Sequence, residues 1–332
     1  MAVNVTAVSP RAVSGVINNP WVRFAARRAG RLVASLWLLI TASFLIIHLI
    51  PGDPVRAALG PTAPAALVSA RRQALGLNDS LWLQYTHYLR GVFTGDLGTS
   101  ITLQMPVSEV INTRIPATLE LAVLAFLVAV AVAVPLGVVI GVLTRGVRSR
   151  RTELAFTSTS VVLGAIPDFL LGVLLVYVFG VRLGWLPVAG KSGVDSFILP
   201  VLSLAIGPAA ILSRILRVEM VRVLQADFVR TARAKRLPAF TIYLRHALPN
   251  ALTAVLTLAG LLLGALVAGT VLVENVFAWP GLGSEIVHSI LAKDYPVVQA
   301  IVLAYGIGVL AVNLAVDVAL ALLDPRSTIR ES

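Results

Sequence analysis

Six runs of roughly 20 mostly apolar residues constrain the fold of this chain more than any other feature, because that length in helical conformation crosses the hydrocarbon core of a bilayer. The runs cover residues 31–50, 117–142, 155–181, 197–216, 251–273 and 298–322. Hydrophobic residues make up 58% of the 332 and charged residues only 13%, so most of these helices have no polar face for water. The sequence therefore predicts an all-α polytopic membrane protein with six transmembrane helices.

The first run follows a cluster of arginines and so resembles a secretory signal peptide. It is longer than the roughly 7–15 residues of a signal core, however, and it leads into "PGDP" rather than a small-residue cleavage site. We therefore interpret it as an uncleaved anchor. A short tail, residues 1–24, precedes the transmembrane domain of residues 25–332.

Lysine and arginine residues in the connections predict the orientation, because loops on the cytoplasmic side carry the excess of both. If the N-terminus is inside, the inner segments hold 19 of these residues and the outer segments hold 8. The bias predicts that both termini are cytoplasmic. The long segment 51–116 is then outside, and the basic loop of residues 214–250 is inside.

The composition also excludes several classes of site. The chain has no cysteine, which excludes disulfides, thiolate metal sites and cysteine nucleophiles. Its four histidines, His48, His87, His246 and His288, form no pair with metal-ligand spacing. The net charge of +11 is explained by the arginine-rich inner loops, so no nucleic-acid partner is predicted.

The outer segment 51–116 contains "NDSLWLQYTHYLRGVF", which predicts a short helix. Asn78 to Ser80 offer helix caps. Apolar and aromatic residues then recur at helical spacing, namely Leu81, Tyr85, Tyr88, Leu89 and Val92. The pattern is typical of a helix at the membrane surface with its aromatic residues in the interfacial belt, or of a contact with an external partner.

Two further features of the outer segment concern its connection to the second span. Gly95, Asp96 and Gly98 predict a turn. The stretch "RIPATLELA" predicts that the second span begins with a cap at or near Thr118.

No nucleotide site is expected in this chain. The nearest approach to a phosphate-binding loop is "GWLPVAGKS", where five residues separate Gly184 from Gly190 instead of four and no strand precedes the motif. We interpret it as an outer turn. Energy for uphill transport would therefore enter through another chain or an ion gradient.

Ionisable residues inside the spans are candidates for a transport pathway, because a charge at the bilayer centre is costly and seldom present without a role. Asp168 follows Pro167 near the middle of the third span, where the proline interrupts the helical hydrogen bonds. Asp317 lies in the inner half of the sixth span, one turn after Asn313. Each acid could instead serve helix packing through interhelical hydrogen bonds.

The inner stretch "QADFVRTARAKRLPAFTIYLRHALPN" predicts a helix, a sharp turn and a second, amphipathic helix. A stripe runs through Val218, Val221, Gln225, Phe228 and Ala232, with arginines on the other side. Pro238 disfavours helix at the residue before it and suits the first turn of a new helix. Residues 240, 243, 244, 247 and 248 then form an apolar face, and Pro249 precedes the fifth span. Such a basic amphipathic segment suits either anionic lipid or a protein groove.

The same stretch resembles the EAA loop of ABC importer permeases, whose pattern is EAA, three residues, Gly, nine residues, Ile, one residue and Leu-Pro. Residues 230–232 take the EAA positions, Arg236 the glycine position, His246 the isoleucine position, and Leu248 and Pro249 the closing pair. Peptide permeases are closer still. They resemble "DYVRTARAKGL" and "HALRNAL" where this chain has "DFVRTARAKRL" and "HALPNAL".

Segments along nearly the whole chain are similar to the same branch, including "PGDPV", "LGLNDSLWLQY", "GDLGTS", "LGWLPVAG", "VENVFAWPGLG", "AKDYPVVQA" and "LLDPR". On this basis the chain is identified as a member of the dipeptide/oligopeptide ABC transporter permeases of the bacterial inner membrane. The resemblance implies that the inner loop forms coupling helices, which a cytoplasmic ATPase moves when it closes on ATP.

The resemblance also implies partners and a division of labour. These are a second related permease, two cytoplasmic subunits that bind ATP and Mg²⁺, an external substrate-binding protein and membrane lipid. The chain itself is expected to need no cofactor and to be no enzyme. The branch carries dipeptides, oligopeptides, nickel chelates and glutathione, so the sequence does not identify the substrate. The outer stretches 81–98 and 274–295 are expected to contact the binding protein.

The residues expected to couple the chain to the ATPase lie between positions 230 and 249. They are Arg230, Ala232, Arg233, Lys235, Arg236, Phe240, Tyr243, Leu244, Leu248 and Pro249. Arg236 departs from the family pattern, because glycine adopts a positive φ without strain and arginine does not. Either the turn is built differently around Pro238, or Arg236 gains an acidic contact on the ATPase.

Two other functions were weighed from the residues. An ion-coupled carrier or channel acting alone would use Asp168 and Asp317 as coupling sites, although two separated acids make a sparse proton relay. A membrane-bound enzyme would need a nucleophile with its base or a pair of carboxylates at a recognisable spacing, and the sequence offers neither.

Overall fold

The computed structural model describes residues 20–49, 53–60, 62–74, 76–145 and 149–323, and helices dominate these residues. In chain order they are α1 (Pro20–Leu49), α2 (Pro54–Leu59), α3 (Ala65–Ala74), α4 (Leu81–Thr94), α5 (Val107–Leu143), α6 (Arg150–Ala165), α7 (Asp168–Leu175), α8 (Ile198–Val223), α9 (Asp227–Ala234), α10 (Ala239–Thr241), α11 (Leu248–Val276), α12 (Leu282–Leu291) and α13 (Tyr295–Leu323). Two π-helical stretches, Val176–Arg182 and Ile242–Ala247, continue α7 and α10.

The membrane-spanning helices agree with the six predicted runs. Within the described residues, five helical stretches are long and apolar enough to cross a bilayer, and a bent pair makes up to six. The five are Ala26–Ile46, Val107–Leu143, Asp195–Val223, Val255–Val276 and Tyr295–Val318. The prediction of an all-α polytopic membrane protein is confirmed.

The third predicted span is not one continuous helix. Its two halves, Arg150–Ala165 and Asp168–Arg182, meet at an angle of 95°. Ile166 is extended, with φ of −74° and ψ of 125°, because the ring of Pro167 disfavours helical backbone at the residue before it. The break expected at Pro167 is confirmed, and it also turns α7 sharply away from the axis of α6.

The second span begins earlier than predicted. Helix α5 starts at Val107 and runs 37 residues through Pro116, so Thr118 lies inside it and is not a cap. At 1.5 Å per residue it is roughly 55 Å long, well beyond the hydrocarbon core. Its first turns are helical because Val107, Val110 and Ile111 are buried in an apolar cluster with residues of α12 and α13. Tertiary packing outside the apolar run therefore sets this boundary.

Close packing between α5 and α8 builds the centre of the bundle. A Cβ added at Gly137 would lie 2.8 Å from the Cβ of Leu216, and one added at Gly141 would lie 2.7 Å from the Cβ of Met220. Glycines four residues apart let two membrane helices approach closely. Leu216 and Met220 are consequently fully buried in the apolar cluster at this end of the bundle.

Helix α4 confirms the short helix predicted in the outer segment. Ser80 caps it, and the side-chain oxygen accepts a hydrogen bond from the backbone N–H of Leu83. The predicted interfacial tyrosines instead contact α1, where the Tyr85 hydroxyl lies 2.9 Å from Thr41 Oγ1 and the Tyr88 hydroxyl 2.6 Å from Ser43 Oγ. Burial raises the pKa of Tyr88. The helix is therefore fixed to the first span.

The predicted turn after α4 is also confirmed. Gly95 ends the helix in the left-handed conformation, with φ of 77°, and Asp96 Oδ1 accepts a hydrogen bond from the N–H of Gly98. The following residues fold back so that Thr99 and Pro106 form an isolated antiparallel bridge. The hairpin leads directly into α5.

Candidate functional site

The coupling loop, residues 214–250, lies at one end of the bundle, which we call the inner end. Its predicted stripe from Val218 to Ala232 is not continuous, because α8 ends at Val223 and α9 begins only at Asp227. Ala226 between them is extended. Asp227 places a negative charge in the first turn of α9, where the helix dipole favours it.

Helix α9 has one face in the core and a basic face outside. Val229 and Ala232, three residues apart, are buried in the inner apolar cluster, whereas Phe228 is exposed. The exposed basic face consists of Arg230, Arg233, Lys235 and Arg236. Helix α9 and the turn that follows it therefore present four cations on the outside of the bundle.

The turn after α9 has the geometry that the family pattern implies, with arginine in place of glycine. Arg236 has φ of 56°, in the left-handed region. Its N–H donates to the carbonyl of Arg233 at 2.9 Å, and the N–H of Leu237 donates to the carbonyl of Ala232 at 3.3 Å. These two bonds make a Schellman ending, in which glycine is the preferred left-handed residue. The turn is therefore not rebuilt around Pro238, and Arg236 bears the backbone strain.

The second helix of the coupling loop presents a different face from the predicted one. Phe240 is 74% exposed and Leu244 is also exposed, whereas Ile242 and Ala247 are buried. The cause is the π-helical stretch Ile242–Ala247, whose wider turns rotate the following residues away from α-helical spacing. Periodicity alone placed residues 240, 243, 244, 247 and 248 on one face, and that prediction was wrong.

Tyr243, Leu248 and Pro249 complete the predicted coupling set. Tyr243 and Leu248 pack against the inner apolar cluster of this chain. The Tyr243 hydroxyl accepts a hydrogen bond of 2.8 Å from Arg145 Nη1. Pro249 does not separate the coupling loop from the fifth span, because it occupies the first turn of α11 and helix continues without interruption from residue 239 to residue 276.

Asp168 lies at the junction of three helices. It opens α7 after the break, and it is half-buried. A Cβ added at Gly207 of α8 would lie 3.4 Å from Asp168 Oδ1, and one added at Gly269 of α11 would lie 3.6 Å from Oδ2. Among the described residues its carboxylate has neither a hydrogen bond nor an ion pair. The two glycines leave room beside a carboxylate without a partner.

Asp317 and Asn313 lie on the last helix, apart from Asp168. Asp317 forms an ion pair with Arg28 of α1. Asn313 faces α11, where a Cβ added at Gly264 would lie 3.4 Å from its side-chain oxygen. Arg28, Asn313 and Asp317 share a cleft of about 130 Å³ between α1 and α13. The structure does not bring these two candidates together with Asp168.

Glu274, near the outer end of α11, is a buried acid that the sequence analysis missed. It is 0% exposed, and its carboxyl oxygens accept hydrogen bonds from Thr118 Oγ1 at 2.8 Å and from the N–H groups of Gly283 at 2.6 Å and Ser284 at 3.2 Å. The predicted fifth run ended at residue 273, which left this acid just outside the span. An acid in "VENVFAWPGLG" between two apolar helices was the available signal.

A second buried acid, Asp294, fixes the hairpin that precedes α5. Its carboxylate accepts hydrogen bonds from Ser100 Oγ at 2.5 Å, from the N–H of Ile101 at 3.1 Å, and from the N–H of Thr102 at 3.0 Å. Between the two acids, Glu285 of α12 pairs with Arg114 of α5 at 3.1 Å. Glu274 and Glu285 thus hold the first turn of the short helix α12, and Asp294 lies just beyond its last turn.

Nucleotide and metal sites find no support in the described part of the chain. The segment "GWLPVAGKS" forms a turn with left-handed glycines at Gly184 and Gly190, and Lys191 pairs with Glu120 of α5. Across the described ranges, no three His, Asp or Glu side chains come together as a metal ion would require.

Comparison with protein families matches both halves of the chain. Residues 133–329 match the family described as "Binding-protein-dependent transport system inner membrane component". Residues 21–122 match the family described as "Binding-prot-dependent transport system membrane comp, N-term". Together these matches cover nearly all of the described helices, with a gap at residues 123–132 of α5, and confirm the resemblance found in the sequence.

Curated relatives are similar along nearly their whole length. A protein named glutathione transport system permease protein GsiC, from Salmonella choleraesuis (strain SC-B67), is 39% identical over 304 residues, which are 92% of this chain and 98% of the relative. The protein of the same name from Escherichia coli (strain K12) is 37% identical over the same length and coverage.

Solved structures show the fold. Two crystal forms described as inward-facing conformations of the MetNI methionine ABC transporter match with TM-scores of 0.51 and 0.53, each at 18% identity. Each alignment covers 65% of this chain and 96% of the solved chain. The helical arrangement described above is therefore one that a solved ABC transporter also contains.

Proposed function

The chain belongs to the binding-protein-dependent transport system inner membrane components, the permease subunits of ABC importers, and we propose that it moves peptides or similar small solutes with energy received at its coupling loop. It is a transport subunit of the inner membrane and no enzyme, since the relatives are permeases and partner ATPases hydrolyse the ATP. Family membership decides against an ion-coupled carrier acting alone.

The observation that carries the proposal is the exposed basic face of α9, followed four residues after Arg236 by the exposed ring of Phe240. An exposed aromatic side chain that a partner can bury, with polar residues around it, is typical of the centre and rim of a protein interface. Phe240 is 74% exposed although the neighbouring Ile242 is buried, so the chain itself leaves the ring uncovered. An ATPase groove with an apolar pocket and acidic rim fits this surface.

The predicted coupling residues divide into two groups under this proposal. The exposed ones would contact the ATPase directly; they are Arg230, Arg233, Lys235, Arg236, Phe240, Leu244 and Pro249. The others, Ala232, Tyr243 and Leu248, would support the contact surface without touching the ATPase, because they pack against the apolar cluster of this chain. Two ATPase subunits with bound ATP and Mg²⁺, one for this chain and one for a second related permease, complete the proposed energy supply.

Charge reversal tests the docking surface. We expect Arg230→Glu with Lys235→Glu to reduce capture of the ATPase by the purified permease at least about tenfold, since like charges across an interface are costly. Arg150→Glu with Arg151→Glu is the matched control, because both arginines are exposed at the start of α6. Equal capture by both double variants would show that the ATPase binds elsewhere.

Peptides are the proposed substrate class. Two observations support it, namely the resemblance to peptide permeases and the 39% identity to a permease named for glutathione, which is itself a tripeptide. Proteoliposomes containing the whole transporter should accumulate labelled glutathione or a labelled dipeptide when ATP is enclosed with the ATPase. If neither accumulates and a nickel chelate does, the peptide assignment is wrong.

Within the membrane, Asp168 is the proposed pathway residue, because its carboxylate has room beside it at Gly207 and Gly269. Asn313 and Asp317 remain weaker proposals, since Asp317 already pairs with Arg28. On the outer side, the stretches 81–98 and 274–295 are proposed to contact the substrate-binding protein. Exposed Trp82, Phe93 and Leu291 in these stretches support that proposal.

A further inference from the structure

The end of α5 contacts the coupling loop on both sides of its exposed face. Thr144 and Arg145 lie directly after α5, at the inner end. Thr144 contacts Arg217, which precedes the exposed face, and Arg145 contacts Tyr243, which follows it. We call these four residues and Glu153 the inner clamp.

The first arm of the inner clamp is centred on Arg217 of α8. Its Nε donates to Thr144 Oγ1 at 2.8 Å, and its Nη2 lies 2.8 Å from Glu153 Oε1 of α6. The guanidinium side chain is only 12% exposed. Hydrogen bonds from a charged guanidinium are strong and directional, so two such bonds in a site with little solvent fix the position of the arginine side chain. Arg217 therefore joins the ends of α5, α6 and α8.

The second arm joins Arg145 to Tyr243. Arg145 Nη1 donates to the Tyr243 hydroxyl at 2.8 Å, and its guanidinium carbon lies 5.7 Å from the centroid of the same ring. A hydrogen bond and a cation–π contact to one ring fix the direction of approach. Tyr243 thus faces its own chain, although its position in the loop suggested an ATPase contact.

Along the sequence, the two arms lie on either side of the exposed basic face. The coupling loop leaves α8 six residues after Arg217 and re-enters the bundle through helix that is continuous from residue 239 to residue 276. The clamp contacts therefore lie on both sides of α9 along the chain, at Arg217 and at Tyr243. Glu153 lies in the first turn of α6, and the other end of α6 is the break before Pro167 and Asp168.

We infer that the inner clamp transmits movement of the coupling loop to α5 and α6, with Arg145, Arg217 and Tyr243 as positioning residues for transport. The inference rests on the proposed function, because it takes the coupling loop as the place where the ATPase acts. A rigid link of this kind would determine how much of the movement caused by each ATPase cycle is transmitted to the bent span of α6 and α7.

The test measures ATP hydrolysed per labelled substrate imported, in proteoliposomes containing the complete transporter with its binding protein. Tyr243→Phe removes the hydroxyl and keeps the ring, and Arg145→Ala removes both contacts. We expect Arg145→Ala to raise the ATP consumed per substrate at least about fivefold, the lower end of typical coupling between sites. ATPase capture and thermal stability in detergent should stay at wild-type values.

Three comparisons decide the outcome. Arg151→Ala, an exposed arginine of α6, should leave the ratio unchanged. Arg145→Lys, which keeps the charge, should restore part of the coupling. The double variant Tyr243→Phe with Arg145→Ala should be no worse than Arg145→Ala alone, because both changes break the same contact.

Other results would overturn the inference. If wild type imports substrate with ATP and Arg145→Ala keeps the wild-type ratio, the clamp does not transmit. If the ratio rises only together with a loss of thermal stability in Arg145→Ala and stays normal in Tyr243→Phe, the contacts are structural. If wild type shows no ATP-driven import, the proposed function fails before the clamp is tested.

Discussion

The two ends of the bundle differ in whether their charged side chains are buried or exposed. At the outer end, Glu274 and Asp294 are fully buried and each carboxyl group accepts several hydrogen bonds from its own chain. At the inner end, Arg230, Lys235 and the ring of Phe240 are all exposed. Buried polar groups must be satisfied internally, whereas exposed ones are available to others. The polar groups at the outer end are held within the chain, and we propose that those at the inner end contact a partner.

Removing Glu274 should have the largest effect, since it would leave buried donors without an acceptor. Glu274→Ala exposes the Thr118 hydroxyl and the N–H groups of Gly283 and Ser284 to an apolar site, at a cost of about 3–5 kcal/mol. Thermal unfolding of the purified protein in detergent measures the loss. Glu274→Gln keeps an acceptor and should lose much less, and equal stability of the two variants would contradict the role given to Glu274.

Asp294→Ala should be the next most damaging change, because the hairpin of residues 99–106 depends on this carboxylate. We expect a loss of about 2–4 kcal/mol from the unpaired Ser100 hydroxyl and two unpaired backbone N–H groups. Limited proteolysis should then cleave near residues 100–104 first. Asp294→Asn retains one acceptor oxygen and serves as the control. Cleavage that begins instead in the coupling loop would contradict the view that Asp294 stabilises the outer end of the bundle.

At the inner end, Phe240→Ser should weaken a partner and spare the fold. The ring is 74% exposed, so its removal should leave thermal stability unchanged. ATPase affinity should fall about tenfold, or about 1–2 kcal/mol, as for other aromatic anchors at interfaces. Thermal unfolding of the permease in detergent measures its stability, and titration of the solubilised permease with labelled ATPase measures the affinity. A variant that unfolds earlier but binds normally would mean that Phe240 packs within its own chain.

The smallest expected effect comes from Arg236→Gly. Glycine adopts φ of 56° without the penalty that arginine bears, so the turn should gain about 1 kcal/mol. Transport and ATPase affinity should be retained. If the substitution abolished capture of the ATPase, Arg236 would be a contact residue whose binding contribution outweighs its backbone strain.

Much of the fold could be predicted because bilayer burial leaves a strong signal. All six apolar runs coincide with helices, Ser80 caps α4, and the chain breaks at Pro167. Each of these depends on local chemistry, namely apolar length, a side-chain cap or a missing N–H. The left-handed turn at Arg236 was foreseen as one of two alternatives, from the position of glycine in the family pattern.

The rest depends on contacts between distant segments. Helix α5 continues through Pro116 because its first turns are buried against α12 and α13, which no local pattern shows. The π-helical stretch rotated Tyr243 toward Arg145, so spacing alone misassigned its face. The buried site of Glu274 was not predicted, because its hydrogen-bond partner Thr118 is 156 residues away in sequence.

We propose that energy reaches this chain from an ATPase that binds at its inner end. The most direct measurement is uptake of labelled glutathione or dipeptide, whichever the intact transporter accumulates, by proteoliposomes in which the catalytic carboxylate of the partner ATPase has been replaced. We predict that uptake disappears and that a proton gradient does not restore it. Uptake that persists and follows the proton gradient would contradict it.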